Sequence, residues 1–187
     1  MQAQRLLHRK LRRFGRDDRG TAAIEFAFVA GPFLFMMFAV IELALVFLMS
    51  TSLDAASDKA TRRIRTGQFQ TANQTAADFK TQICGGMSWL ANNCSANLSV
   101  RVKTYISYPA ITADSEFLNS VVVVGEERRA KPDEFPAAKI EPQTRVVVRA
   151  EYRWPLITPF LNDTLARLDG GVALISSTQA FMTEPYE

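Results

Sequence analysis

The stretch Phe26–Met49, FAFVAGPFLFMMFAVIELALVFLM, decides the fold. Its first sixteen residues, Phe26 to Ile41, carry no charge; Glu42 interrupts, and the seven residues Leu43 to Met49 are again apolar. As a helix rising about 1.5 Å per residue the stretch reaches about 36 Å, enough to cross a bilayer with some tilt. It exceeds the roughly 7–15 apolar residues of a secretory signal, and no small-x-small cleavage pattern follows it. A retained single-pass helix is therefore expected ahead of a removed signal peptide or a soluble core helix. Gly31-Pro32 predicts a kink, because Pro32 has no N–H for the helix ladder.

The flanks set the orientation. Residues 1–20 hold seven basic side chains (Arg5, Arg9, Lys10, Arg12, Arg13, Arg16, Arg19) and two Asp, a formal +5. The chain of 187 residues totals +3, so everything after residue 20 sums to −2. The high sequence pI thus belongs to the first twenty residues, and a nucleic-acid surface on the folded body is not expected. Behind the apolar run Lys59, Arg62, Arg63 and Arg65 face Asp54 and Asp58, a weaker basic excess. The positive-inside bias keeps the N-terminus cytoplasmic and sends residues 50–187 outward. On that side Cys84 and Cys94, which enclose nine residues, are expected to form a disulfide, with two buried free thiols as the alternative.

Two carboxylates need an explanation. Glu25 stands where basic residues give way to apolar ones. Glu42 lies within the apolar run, where a carboxylate is costly unless it meets a protein partner, takes up a proton, or sits shallow in the membrane. No catalytic constellation is visible. The one histidine, His8, lies on the cytoplasmic side, and no G-x-S-x-G, Walker or H-E-x-x-H pattern occurs, so neither an enzyme, a metal site nor a cofactor is expected. Trp89 and Trp154 read as core residues or interface anchors.

Past the membrane, Leu53, Ala56, Ala60 and Ile64 form a helical stripe that Gly67 ends. Ala72, Ala76, Phe79 and Ile83 predict a second helix, with Thr71 and Gln74 as its capping box and Gly85-Gly86 as its stop. Strands are expected at 98–105 (half-buried, with Leu98, Val100 and Val102 inward), 121–124 (short and buried), 144–154 and 172–181. The Pro-rich, charged segment 125–143 reads as a solvated loop, and 159–168 as a short helix capped by Thr158. The fold class is α+β: a long N-terminal transmembrane helix, then a small domain with a mostly antiparallel sheet. The expected boundaries are a basic segment over 1–20, a membrane helix over 21–50, a helical stalk over 51–70 and an extracytoplasmic domain over 71–187.

Arg19-Gly20-Thr-Ala-Ala-Ile-Glu25-Phe26-Ala27, followed by Pro32 and Ile41-Glu42, resembles the TadE/TadG-like, pilin-like family of the tight-adherence (Flp) pilus system. The likeness is dense over residues 19–68. It continues in patches at Arg65–Gln68, the Cys84/Cys94 pair, Tyr152–Pro159 and Phe181–Tyr186, while 107–143 matches nothing in the family. Asp58-Lys59-Ala60-Thr61-Arg62 departs from the family's Ala-Ala-Arg-like run. The resemblance implies that a prepilin peptidase removes the leader after Gly20, leaving Thr21 first and Glu25 at position five, followed by the aromatic Phe26. It further implies assembly through the helix, by way of Glu25, Phe26 and Glu42, as a minor pilin or pseudopilin in the bacterial inner membrane. Its partners would be the peptidase, other Tad pilus subunits, inner-membrane platform proteins and the lipid bilayer. An uncleaved inner-membrane scaffold is the alternative. Physical chemistry agrees: the glycine can lie extended in a protease cleft, the basic leader holds the cut site at anionic headgroups, and Glu25 lies one turn from the new α-amine.

Overall fold

A computed structural model describes residues 20–87, 91, 93–137 and 139–186. Helix α1 runs Thr21–Arg65 as one element of 45 residues, with Pro32 accommodated inside it. Two compact units divide the chain between Ile41 and Glu42. Within the second unit, Glu42, Met49, Leu53, Ala56, Ala60 and Ile64 are the buried stripe of α1, spaced by sevens, fours and threes. The helix stops at Gly67, whose φ of 78° is the left-handed conformation that ends helices. A Cβ at Gly67 would also lie 2.3 Å from the Tyr186 ring, so this position requires glycine twice over.

Short helices α2 (Gln68–Thr71), α3 (Ala76–Gly86) and α4 (Cys94–Asn97) lead to strand β1 (Leu98–Tyr105). Then come α5 (Tyr108–Ala113), α6 (Ser115–Leu118), β2 (Val121–Val124), β3 (Glu127–Ala130), β4 (Arg145–Pro155), α7 (Pro159–Leu165), β5 (Ala166–Leu168) and β6 (Val172–Met182). The main sheet is four-stranded and antiparallel, in the order β1-β4-β6-β5. Val146 and Val148 of β4 and Val100 and Val102 of β1 pack with Leu53, Ile64, Phe79 and Ile83 into one core. Phe79 meets Phe69 and Phe135 edge to face, with ring centroids 5.7 and 5.8 Å away. The α+β class and the long apolar helix followed by an antiparallel sheet are as expected from the sequence.

Four local expectations are corrected. The capping box belongs to Thr75 and Asp78, not Thr71 and Gln74, so α3 starts one turn later; Thr71 instead ends α2. Val121–Val124 is not a buried strand of the main sheet but one arm of a hairpin with β3, and Val123 and Val124 are exposed. The hairpin arm β3 lies inside the segment read as a loop, and the fourth sheet position goes to β5, inside the segment read as helix. Finally, β1 is covered on both faces, because Arg101 is as buried as its apolar neighbours.

Candidate functional site

Gly20, Thr21, Glu25 and Phe26 come together at the start of α1, and all are exposed. A Cβ on Gly20 would meet nothing within 4 Å, so nothing among the described residues demands glycine there. The apolar side chains that follow are turned outward: Phe26 is 72% and Phe28 77% exposed, with Phe33, Met36, Phe38 and Val40 exposed as well. A core helix of a soluble protein would hide such residues. Here only 11% of the most apolar 18-residue window, of mean hydropathy 2.5, is buried. By length and composition α1 can cross a membrane. Residues 1–19, His8 among them, lie outside the described residues.

Glu42 sits in the other unit and is 5% exposed. Its carboxylate accepts two backbone hydrogen bonds from the turn that opens α7, one from the Ile157 N–H and one from the Thr158 N–H at 2.8 Å. A carboxylate that receives two N–H donors has replaced much of its hydration shell, which is how a charge persists beside apolar helix residues. The partners lie 115 and 116 residues away in sequence, beyond the reach of any local pattern. A hint was nevertheless present: Glu42 precedes Met49 by one heptad and so begins the stripe that continues through Leu53 and Ala56.

Cys84 and Cys94 are joined, with an S–S distance of 2.00 Å and a Cα–Cα distance of 5.7 Å, fastening the end of α3 to α4 just before β1. Trp89 in this loop lies outside the described residues. Trp154 is half-buried and packs against the core cluster.

The sheet also holds a charged group that the sequence pattern placed in solvent. The Arg101 guanidinium, 1% exposed, donates to Glu151 Oε1 at 2.9 Å and to the Phe117 carbonyl at 2.8 Å, and stacks over the Phe117 ring at 5.1 Å. Arg149 lies directly opposite Arg101 in the β1–β4 register and donates to the same Glu151 oxygen at 2.6 Å. Two like charges thus tolerate one another because a fully buried carboxylate bridges them. Beyond the strand end, Asp114 accepts from Lys103 at 2.6 Å, Tyr105 at 3.1 Å and the Phe117 N–H at 2.9 Å. The Lys103 ammonium, then the Phe117 N–H, hold its pKa down to about 2. Burial, and next the Asp114 hydrogen bond, push the Tyr105 hydroxyl up. Each charged side chain of the two clusters has an ionic partner, while Arg101 Nε and Glu151 Oε2 are buried without a hydrogen bond among the described residues.

An open groove of about 440 Å³ lies between Phe69, Gln70, Thr75, Phe135 and Ile140, with Lys139 its one ionisable side chain. Among the described residues no three His, Cys, Asp or Glu side chains are grouped so as to hold a metal ion.

Comparison with known proteins bears on the long helix. The family model described as TadE-like protein matches residues 20–62, from Gly20 through the first turns beyond the apolar run. The chain thus carries a TadE-like segment, in agreement with the resemblance drawn from Arg19–Ala27, Pro32 and Glu42, and that family implies involvement in the tight-adherence pilus system. No curated protein and no solved structure matches the chain.

Proposed function

We propose that the protein is a minor pilin or pseudopilin of the tight-adherence system. In this reading it is made with a cytoplasmic basic leader, cut after Gly20 by the prepilin peptidase, and assembled through its N-terminal helix with other pilus subunits on the inner membrane. Its folded domain faces the periplasm. The observation that carries this reading is the conjunction at Gly20: the TadE-like match and α1 begin within one residue of each other, and a bare apolar helix surface follows. The two acids divide the work. Glu42 spends its carboxylate inside its own domain, which leaves Glu25 to neutralise an α-amine at Thr21, on this subunit or its neighbour. The chain acts as a structural component and as a substrate of the peptidase, not as an enzyme.

The test is to map the N-terminus of membrane-purified protein by mass spectrometry, with and without the peptidase. Thr21 is expected first in the presence of the peptidase, and Gly20→Leu should leave the chain at full length, because the bulky side chain bars the peptidase cleft and not the fold. Glu25→Gln should insert and be cut normally yet lose crosslinks to itself and to other subunits. Full-length chains as the sole form in piliated cells would favour the uncleaved scaffold, and a Glu25→Gln chain that crosslinks like wild type would remove Glu25 from assembly.

A further inference from the structure

The exposed face of α1 changes character within the second unit. Leu43, Phe47 and Leu48 are exposed and apolar, and then Thr51, Asp54, Asp58 and Lys59 are exposed and polar. The exposed surface of the helix therefore turns from apolar to polar between Leu48 and Thr51. Glu42 is six residues below Leu48, about 9 Å along the axis, and helical side chains lean toward the N-terminus, so its carboxylate lies no higher than its own turn. The Ile157 N–H is bound to that carboxylate, and the Ile157 side chain is 85% exposed. The turn Pro155–Thr158 is thus held beside the helix below the level at which the helix surface becomes polar, with an unpartnered isoleucine on it.

We propose that this turn is a second membrane contact: Ile157 enters the acyl boundary of a lipid bilayer alongside Leu43 and Phe47, and the Glu42 latch seats the domain on the membrane surface. The occupant is lipid because the apolar face is continuous with that of a membrane-length helix, and the inferred depth matches the roughly 5–10 Å reached by interfacial apolar groups. It also accounts for the tolerated Glu42. Its charge meets backbone N–H groups at the point where lipid would otherwise face it. The proposal rests on α1 spanning the bilayer, and the experiment separates the two ideas.

Full-length protein is reconstituted into phosphatidylcholine–phosphatidylglycerol vesicles containing lipids with a nitroxide near the top of the acyl chain, or none. Because Cys84 and Cys94 are bonded, single variants Phe33→Cys, Ile157→Cys and Val123→Cys each take one environment-sensitive fluorophore. The Phe33 label reports the span, and the Val123 label, on an exposed hairpin valine, reports water. Nitroxide quenching at Ile157 is expected to exceed that at Val123 several-fold. Adding Glu42→Gln, which loosens the latch, should bring Ile157 toward the Val123 level. A quenched Phe33 with Ile157 indistinguishable from Val123 overturns the second contact alone, whereas an unquenched Phe33 overturns the spanning helix and this proposal with it. An Ile157 signal that follows the protein-to-lipid ratio and ignores the nitroxide assigns the turn to a second copy and likewise overturns it.

Discussion

In the first unit the apolar side chains are outside; in the second the charges are inside. Phe26, Phe28 and Phe33 lie open along α1, while Arg101 and Glu151 are almost wholly buried in the sheet. A bare phenylalanine surface forfeits the hydrophobic term that normally holds a helix in place, so its helicity must come from its own ladder and from whatever covers it. Buried ions require the opposite provision: each must be matched inside the chain, because nothing outside can reach it. The first region thus leaves its apolar surface bare, whereas in the second the Arg101 and Glu151 ions meet each other inside the chain. Helix α1 belongs to both, and at the start of its second part Glu42 is already buried and hydrogen-bonded to the turn at Ile157 and Thr158.

The severest way to break this contrast is to unbalance the charges inside. Glu151→Leu removes the carboxylate shared by Arg101 and Arg149 and strands a buried guanidinium, which should cost about 3–5 kcal/mol. Arg101→Met with Glu151→Leu should recover much of that loss, since the pair leaves together. Denaturant unfolding of the full chain in detergent measures both. A single mutant within about 0.5 kcal/mol of wild type, the range of an ordinary surface change, would mean that the ions are not sealed.

The helix can be tested against itself. Leu53 and Leu34 are the same residue on the same helix, one fully buried and one exposed. Leu53→Ala should destabilise the domain by about 2–5 kcal/mol through lost burial and the cavity left behind. Leu34→Ala should leave domain unfolding unchanged in the same detergent. Equal losses at the two positions would abolish the distinction between the units.

How much of this was legible depended on how local each cause was. The stripe Leu53, Ala56, Ala60, Ile64 and the stop at Gly67 are written in consecutive turns, and 98–105, 144–154 and 172–181 carry enough β-branched residues to declare themselves strands. Val121–Val124 looks the same as a buried strand because a short apolar run does not say what it pairs with, and its partner is a charged segment. The misplaced capping box had a local cause too. Thr71-x-x-Gln74 fits the usual signature, but Thr75-x-x-Asp78 works with a shorter acid, whose carboxylate accepts from the Thr75 N–H at 2.8 Å. The partners of Glu42 and Arg101 could not be read, since each is set by a strand or turn tens of residues away. Alternation alone put Arg101 in solvent, and only the Phe117 segment laid across that face buries it.

A smaller effect sharpens the domain's side of the contrast. The Cys84–Cys94 bond closes a loop of ten residues' separation. Replacing both by Ser should cost about 2–3 kcal/mol, mainly by freeing the unfolded chain. The loss should appear as a lower denaturation midpoint with Phe33-reported insertion unchanged, because α1 contributes nothing to the loop. If the double variant unfolds at the wild-type midpoint, the bond constrains a chain segment that the fold already holds.

The smallest expected effect is a pH dependence confined to the second unit. Asp114 is held to about 2 in the folded domain, chiefly by the Lys103 ammonium and then by the Phe117 N–H, against an ordinary value of 3.8. A folded value below the unfolded one means that the unfolded chain takes up the proton first as the solution is acidified. The contribution of Asp114 to stability is therefore complete above about pH 4 and is lost between there and about pH 2. Its sign is the reverse of what Lys103 would give, since the Lys103 ammonium is held above 10.5 by Asp114 and weakens the fold only under strong alkali. Asp114→Asn keeps an acceptor for the Phe117 N–H but cannot titrate, so its denaturation midpoint should start lower at neutral pH and fall less steeply than wild type between pH 4 and 2. Since other carboxylates titrate in the same window, the decisive quantity is the difference between the two slopes. Parallel acid limbs would show that the Asp114 cluster is no tighter folded than unfolded.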